Sequence, residues 1–283
     1  MTIAIIGTGN MGGAILRGLI KAGIFRPEEF ICTAKSEATR NRIREYNDAI
    51  RVGGDNAAVA AEADIIILAV KPWLVEEVIE EIRPSLKKEK QIIVSVAAGI
   101  TLRELVLYVE PEYDIIEANR ICAEISGKEP EAFDEPVIFR AIPNTAVEAL
   151  CGVTVVSHHE ASAEQVALVH NLFSTLGYAL VVEESLIPAA TSLTSCGIAF
   201  AMRYIRAAME GGVELGFRPD EAARLVEHTV KGAATLLLES GAHPEVEIDK
   251  VTTAGGITIK GLNAMERSGF SAAVIEGLKA SKV

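Results

Sequence analysis

The chain has 283 residues, 49% of them hydrophobic and 23% charged, with a formal net charge of −12. That length allows one large or two ordinary domains with a substantial core. The acidic balance argues against nucleic-acid and anionic-membrane partners, which need clustered Lys and Arg, so an anionic ligand must be held by local dipoles and a few placed cations.

The chain opens on MTIAIIGTGNMGGAILRGLIKAG. Residues 2–6 form a short β-rich run, as in a parallel strand covered on both faces. The turn Gly7-Thr8-Gly9-Asn10-Met11-Gly12 follows as G-x-G-x-x-G, and Ala14, Ile15, Leu16, Leu19 and Ile20 then give helical spacing. The three glycines serve a tight turn, close approach of a pyrophosphate and close helix–strand packing. Anion binding by backbone N–H groups at the helix start suits an acidic protein, because it needs no cation. The second strand is expected near 29–34. Where an NAD site usually carries Asp or Glu for the ribose 2′-hydroxyl, this chain has Thr33, Ala34, Lys35 and Ser36. A cation and a hydroxyl suit a 2′-phosphate, so Lys35 and Ser36 favour NADPH, with NADH as the alternative.

The βα rhythm continues with ADIIILAV, running into Lys71-Pro72, and KQIIVSVAAGI, ending in small residues. Ligands of open α/β sheets bind beyond the carboxyl ends of the strands, so AVKP and SVAAG fall where a nicotinamide and its ribose would lie. VIFRAIPNTAVEA adds a strand running into the polar turn Pro143-Asn144-Thr145, aimed at the same edge. Between Leu105 and Pro136 the pattern weakens; the acidic, proline-containing segment near 110–136 is read as a surface insertion with one strand at 115–118. GVTVV and GYALVV are short strands flanking a helix near 161–176.

From Glu184 onward the periods are helical. A long helix over Pro188–Leu215 is apolar on most sides, which implies burial, often against another subunit. It contains no Lys and no His, so the usual proton carrier of an alcohol dehydrogenase is missing. That absence favours reduction of a substrate bringing its own proton, such as a protonated imine. A second helix starts at Pro219-Asp220-Glu221 and runs to Ser240. The fold expected is an α/β Rossmann-type dinucleotide-binding domain, residues 1–183, followed by an all-α helical domain, residues 184–283. Near its end, DKVTTAGGITIKGLNAME places three threonines and two glycines before a helix. This is either a plain helix cap or an anion site for a substrate carboxylate.

Four cysteines without a C-x-x-C pair and five scattered histidines read as reduced thiols and no metal site. The first apolar run is too short for a signal peptide, and no segment is read as a membrane span. A cytoplasmic protein is expected.

Together IGTGNMGGAI, AVKP, SVAAGIT, RAIPNT and, most specifically, VTTAGGITIKGLNAMERSGF resemble the pyrroline-5-carboxylate reductase family, over nearly the whole chain apart from the insertion. The resemblance implies hydride transfer from NAD(P)H to a cyclic imino acid, 1-pyrroline-5-carboxylate, giving proline. It implies that Thr253, Gly255, Gly256, Ile257 and Thr258 hold the substrate carboxylate, that Thr191 lies near the imine nitrogen, and that Glu184 lies by the same pocket. Asn56, Ala69, Val70, Lys71, Pro72, Val96, Ala97 and Ala98 match cofactor-contacting positions. It further implies that the helical domain serves dimerisation, giving a homodimer or a higher homo-oligomer. The chain departs from the family at SCGIA, Ser195–Ala199, where Gly-Ser-Gly-Pro-Ala is usual, at Ala254, where proline is common, and at Ile257, where a small or hydroxyl residue is common. Rival readings are a reductase of another small cyclic imine and a dinucleotide-binding regulator without turnover.

Overall fold

A computed structural model describes residues 1–129 and 133–282. Two compact units result, Met1–Ser195 and Cys196–Lys282. Residues 184–195, expected with the helical domain, pack with the first unit instead.

In the first unit, β1 (Ile3–Ile6), α1 (Asn10–Ala22), β2 (Phe30–Thr33), α2 (Glu37–Tyr46), β3 (Arg51–Gly53), α3 (Asn56–Glu62), β4 (Ile65–Leu68), α4 (Val75–Ile82), β5 (Ile92–Ser95) and α5 (Leu102–Val109) alternate as the sequence predicts. Then come α6 (Tyr113–Ile125), β6 (Val137–Pro143), β7 (Gly152–His159), α7 (Ala163–Ser174), β8 (Gly177–Val181) and the short α8 (Ile187–Thr191). Among the described residues the strands form one eight-stranded sheet in the order β3-β2-β1-β4-β5-β6-β7-β8. Every pairing is parallel except β6–β7, which is antiparallel. β1, β2, β4, β5 and β6 are buried throughout, which explains their continuous Ile/Val runs: helices cover both faces. One apolar cluster joins Ile3, Ile5, Leu19, Phe30 and Phe139, and the other joins Ile6, Ile66, Ile79, Leu105 and Ile138.

The strand expected at 115–118 does not form; those residues lie inside α6. Its β-branched pair, Ile115-Ile116, suggested a strand, but Tyr113, Ile116, Glu117 and Arg120 recur at helical spacing and line one shallow pocket with Phe133 and Glu135. Part of the expected insertion, residues 130–132, lies outside the described residues.

The expected helix over 188–215 is also modified. α8 passes into a π-helical turn, Ser192–Cys196, before α9 (Gly197–Glu214) continues. Such wide turns occur mostly as single insertions in α-helices, frequently at functional sites. This stretch also contains 18 consecutive uncharged residues, Ser185–Met202. By length and composition Glu184–Glu214 could cross a membrane, with 11% of its most apolar window buried. A helix this apolar and this open requires a cover, whether protein or lipid.

The second unit holds α9, α10 (Pro219–Ser240), α11 (Pro244–Lys250), α12 (Ile257–Arg267) and α13 (Phe270–Ala280). Among its described residues only Ala222 is buried, while Leu215, Leu225, Leu236, Leu238, Val251 and Ile275 are exposed. Helices of this size cannot offset their ordering entropy without burying apolar faces.

Candidate active site

The parallel register brings the carboxyl ends of four strands into one row: Ile6 pairs with Thr33 and with Leu68, and Leu68 pairs with Ser95. The loops leaving them are tied at their first residues. Gly7 N–H donates to the Thr33 carbonyl (3.1 Å), Ala69 N–H to Ile6 (2.8 Å) and Val96 N–H to Leu68 (3.0 Å). Gly7, Ala69 and Val96 thus share one edge, as expected.

Several helices that start on this sheet have already satisfied their N-termini. Ser36 caps α2, accepting from Thr39 N–H, and Asp55 caps α3, accepting from Ala58 N–H. Thr101 and Glu104 form a capping box on α5. The start of α1 differs. Gly9 offers no side-chain cap and no acid lies in the first turn, so the first N–H groups keep their positive end free for an anion. A side chain at Gly12 would strike the Gly7 carbonyl oxygen at 2.5 Å, whereas one at Gly9 would meet nothing within 4 Å. Gly12 is therefore needed for helix–strand packing, and Gly9 leaves room for a ligand backbone. Thr8 is buried with its hydroxyl donating to the Thr33 carbonyl at 2.6 Å, so it fixes the loop. Asn10 and Met11 open the helix at its exposed end.

At the end of β2, Lys35 is exposed, and its ammonium has no partner among the described residues. Ser36 has a second role as the α2 cap and also pairs with the Thr39 hydroxyl at 2.8 Å. Arg40, not singled out from sequence, reaches back to the Ala34 carbonyl (2.7 Å) and binds Glu37 (2.8 Å). Glu37, the nearest acid, is held below the usual carboxylate range by Arg40 and then Arg44. A cation one turn beyond Lys35-Ser36 was the available sequence signal for Arg40.

Along the β4 and β5 turns, Val70 and Pro72 are half-buried, Lys71 and Ala98 exposed and Ala97 buried. The Lys71 ammonium also lacks a partner among the described residues. Asn56 turns elsewhere, donating its amide to Glu81 at 2.7 Å. Asn144 is buried, its oxygen accepts from Ala146 N–H (3.2 Å) and Val153 N–H (3.3 Å), and its nitrogen donates to the Thr194 carbonyl (3.4 Å). It braces the β6 turn against the π-helical turn, where Ser195 adds a bond to the Pro143 carbonyl.

Glu184 directs one oxygen inward, accepting from Leu102 N–H (2.6 Å) and Arg140 Nη1 (3.0 Å). Thr191, half-buried at the end of α8, donates its hydroxyl to the Ile187 carbonyl at 2.8 Å, leaving the oxygen free to accept.

In the second unit, the start of α12 matches that of α1 in kind. Gly256 is its N-cap, without a side-chain cap or first-turn acid. Gly255 has φ +72°, and a Cβ on Gly256 would meet Thr253 Oγ1 at 2.5 Å. The turn is pinned by Gly256 N–H to the Thr253 carbonyl (3.0 Å) and by the Thr252 hydroxyl to Ile248 (2.7 Å). Ile257 is 87% exposed, and Thr258 is half-buried beside it.

Glu135, His159 and Glu160 bring one ligand atom each within 4.8 Å of one another. Glu135 is already bound by Arg120 (2.8 Å) and the Tyr113 hydroxyl (2.9 Å). Burial and then that bond push the phenol of Tyr113 up to about 12. Glu135 also lies 3.2 Å from His159 Nε2, so the cluster ties α6 to β7.

Two family models match: pyrroline-5-carboxylate reductase dimerisation over residues 184–283, and NADP oxidoreductase, coenzyme F420-dependent, over residues 2–99. The chain is 34% identical to pyrroline-5-carboxylate reductase 1 of Dictyostelium discoideum, covering 99% of this chain but 48% of that protein. It thus spans about half the length of that relative. It is 33% identical to pyrroline-5-carboxylate reductase 2 of the same organism, covering 98% of this chain and 89% of the relative. The structure of a pyrroline-5-carboxylate reductase from Coxiella burnetii superposes with a TM-score of 0.83 at 26% identity, over 99% and 95% of the two chains. Full-length likeness in sequence and fold, with a matched dimerisation segment, leads to one assignment: the chain belongs to the pyrroline-5-carboxylate reductase family.

Proposed function

We propose that this protein reduces 1-pyrroline-5-carboxylate to L-proline with NADPH as the hydride donor. The observation carrying this reading is that two glycine-rich turns each lead into a helix start with no side-chain cap and no first-turn acid. One is the dinucleotide turn of α1 and the other the Thr-Gly-Gly-Ile-Thr turn of α12; α13 shares the bare start but lacks such a turn. A dinucleotide pyrophosphate and a substrate carboxylate are the anions these two turns suit.

When bound, the reduced nicotinamide supplies the hydride. Residues of this chain do the rest. The N–H groups of α1 hold the pyrophosphate, and the loops at 69–72 and 96–98 flank the dinucleotide along the sheet edge. Thr253, the 255–257 backbone and the Thr258 hydroxyl hold the carboxylate, fixing the ring for transfer. The C=N bond takes the hydride at carbon and keeps its proton on nitrogen, so no Lys or His is needed. Since Thr191 already donates to Ile187, its hydroxyl oxygen accepts from the iminium N–H and orients it.

NADPH over NADH rests on the unpartnered Lys35 and on Glu37 being held by Arg40 and Arg44. The unit 196–282, with only Ala222 buried among its described residues, supports a homodimer whose partner covers the exposed apolar helices. The four free cysteines suit the reducing cytoplasm. The direct test is loss of reduced-nicotinamide absorbance with pyrroline-5-carboxylate, using each cofactor in turn, and identification of proline as product. Cofactor binding without turnover on any cyclic imine would instead support the regulator reading.

A further inference from the structure

All seven residues of β6 are buried, and Arg140 is the one charge among them. It is 7% exposed. On the face it shares with Ile138 and Ile142, Ile138 belongs to the cluster formed with Leu102 and Leu105, and Ile142 to a separate one with Val155 and Ile187. Arg140 thus separates two apolar clusters. Its register neighbours on either side, Ser95 and Ser157, are buried and polar.

Its charge is met by Glu184. A single oxygen, Glu184 Oε1, accepts from Arg140 Nη1 (3.0 Å) and from the Leu102 amide (2.6 Å). Leu102 is the first residue of α5, directly after the loop 96–101. Glu184 lies about two turns before Thr191. The carboxylate therefore links three segments: strand β6, the loop proposed to flank the cofactor, and the turn that leads into α8, whose last residue is Thr191. The arrangement is not optimised for stability, since Arg140 Nε is buried without a partner. Well-packed apolar residues often serve stability as well as a buried ion pair. What the ion pair adds is direction.

We propose that Arg140 and Glu184 are positioning residues, whose shared carboxylate oxygen fixes the loop 96–101 and the turn leading into α8 relative to each other for hydride transfer. The proposal rests on the imine-reductase reading.

The experiment uses the full chain carrying Arg140→Met, Glu184→Leu, both together, and Arg140→Lys. Melting temperature, exchange of the Leu102 amide, fluorescence of bound NADPH, and the primary deuterium isotope effect on imine reduction are measured. Glu184→Leu leaves the buried Arg140 unpaired and melts early, Arg140→Met leaves a partly exposed Glu184 and costs less, and the double variant recovers stability. Recovered stability without recovered turnover is the expected signature: kcat of the double variant stays down about 10–100-fold. Its isotope effect rises and its Leu102 amide exchanges faster, while Arg140→Lys retains most of the rate.

A double variant with wild-type kcat and isotope effect would make the pair merely structural and overturn the proposal. Loss confined to Glu184→Leu, with Arg140→Met at the wild-type rate, would overturn it too, because Glu184 would then act on substrate directly. If the wild type binds NADPH but reduces no cyclic imine, the reading of function fails. The clamp is then judged by Leu102 exchange and bound-cofactor fluorescence, and wild-type values of both in the double variant would overturn it.

Discussion

The starts of α1 and α12 present the same chemistry in opposite surroundings. Both have a glycine N-cap, no side-chain cap and no first-turn acid. Around α1, Gly12, Gly13, Ala14, Ile15 and Leu16 are buried, and Gly12 sits against the Gly7 carbonyl. Around α12 no residue is buried. The difference teaches that the dinucleotide turn is completed by its own sheet, whereas the threonine-glycine turn belongs to a unit awaiting a cover. With both turns holding anions as proposed, one site would be a property of the folded chain and the other of the assembly.

Dilution is the strongest way to break the comparison. As dimers dissociate, imine turnover should vanish while NADPH binding persists, because stability gained by association depends on protein concentration. Parallel dilution series of activity and of cofactor fluorescence check this; joint loss of both would erase the distinction. Next in size is Gly12→Ala. Its methyl group would meet a backbone oxygen that cannot rotate away, so NADPH affinity should fall about 100-fold, a loss of roughly 3 kcal/mol, measured by fluorescence titration.

Gly256→Ala meets the hydroxyl of Thr253 at 2.5 Å, a side chain able to turn aside, and its carbonyl oxygen at 3.0 Å, a milder clash than that at Gly12. The imine KM should rise about 10-fold with NADPH affinity unchanged, consistent with loss of about one charge-assisted hydrogen bond. Thr258→Ala removes a hydroxyl and no backbone donor, so a rise of about 3–10-fold is expected; equal loss of cofactor affinity would refute its assignment to the carboxylate.

The smallest effect concerns the anchoring of α1. Arg17 binds Glu148 through two bonds (2.8 and 2.9 Å) and holds that carboxyl below its usual range. A folded pKa below the unfolded one means the link stabilises the fold above the unfolded value and fades as pH falls through the folded one. Both groups are largely exposed, so the gain is modest and screened by salt. Melting curves of wild type and Glu148→Gln should differ slightly near neutral pH and converge in acid.

Much of this was legible in the chain because it repeats or clusters. Isoleucine runs at β1, β4 and β5 mark a sheet covered on both faces, and G-x-G-x-x-G is read within one turn. The signature before α12 is contiguous too. What escaped sequence reading depends on separation or on competing periods. Arg140 and Glu184 lie far apart in sequence, and only a lone charge in VIFRAIP hinted at a partner. The bonds of Asn144 to Val153 and Thr194 were not legible either, because nothing local shows that those residues would meet its amide. The π-helical turn has no marker in Ser192–Cys196, and the α6 strand reading failed because Ile115-Ile116 outweighed the helical spacing of Tyr113, Ile116 and Arg120.

The sheet's last strand ends at Val181, ahead of every residue of the second unit. During synthesis the parallel sheet can close while those helices are still emerging, since domains generally fold as units and the N-terminal one goes first. In the proposed homodimer, covering Leu215, Leu236, Leu238 and Ile275 would then wait on a collision between two chains. Assembly is second order in concentration, and the slowest step at low expression is meeting a partner. For that interval the exposed helices are the part of the molecule that chaperones must shield.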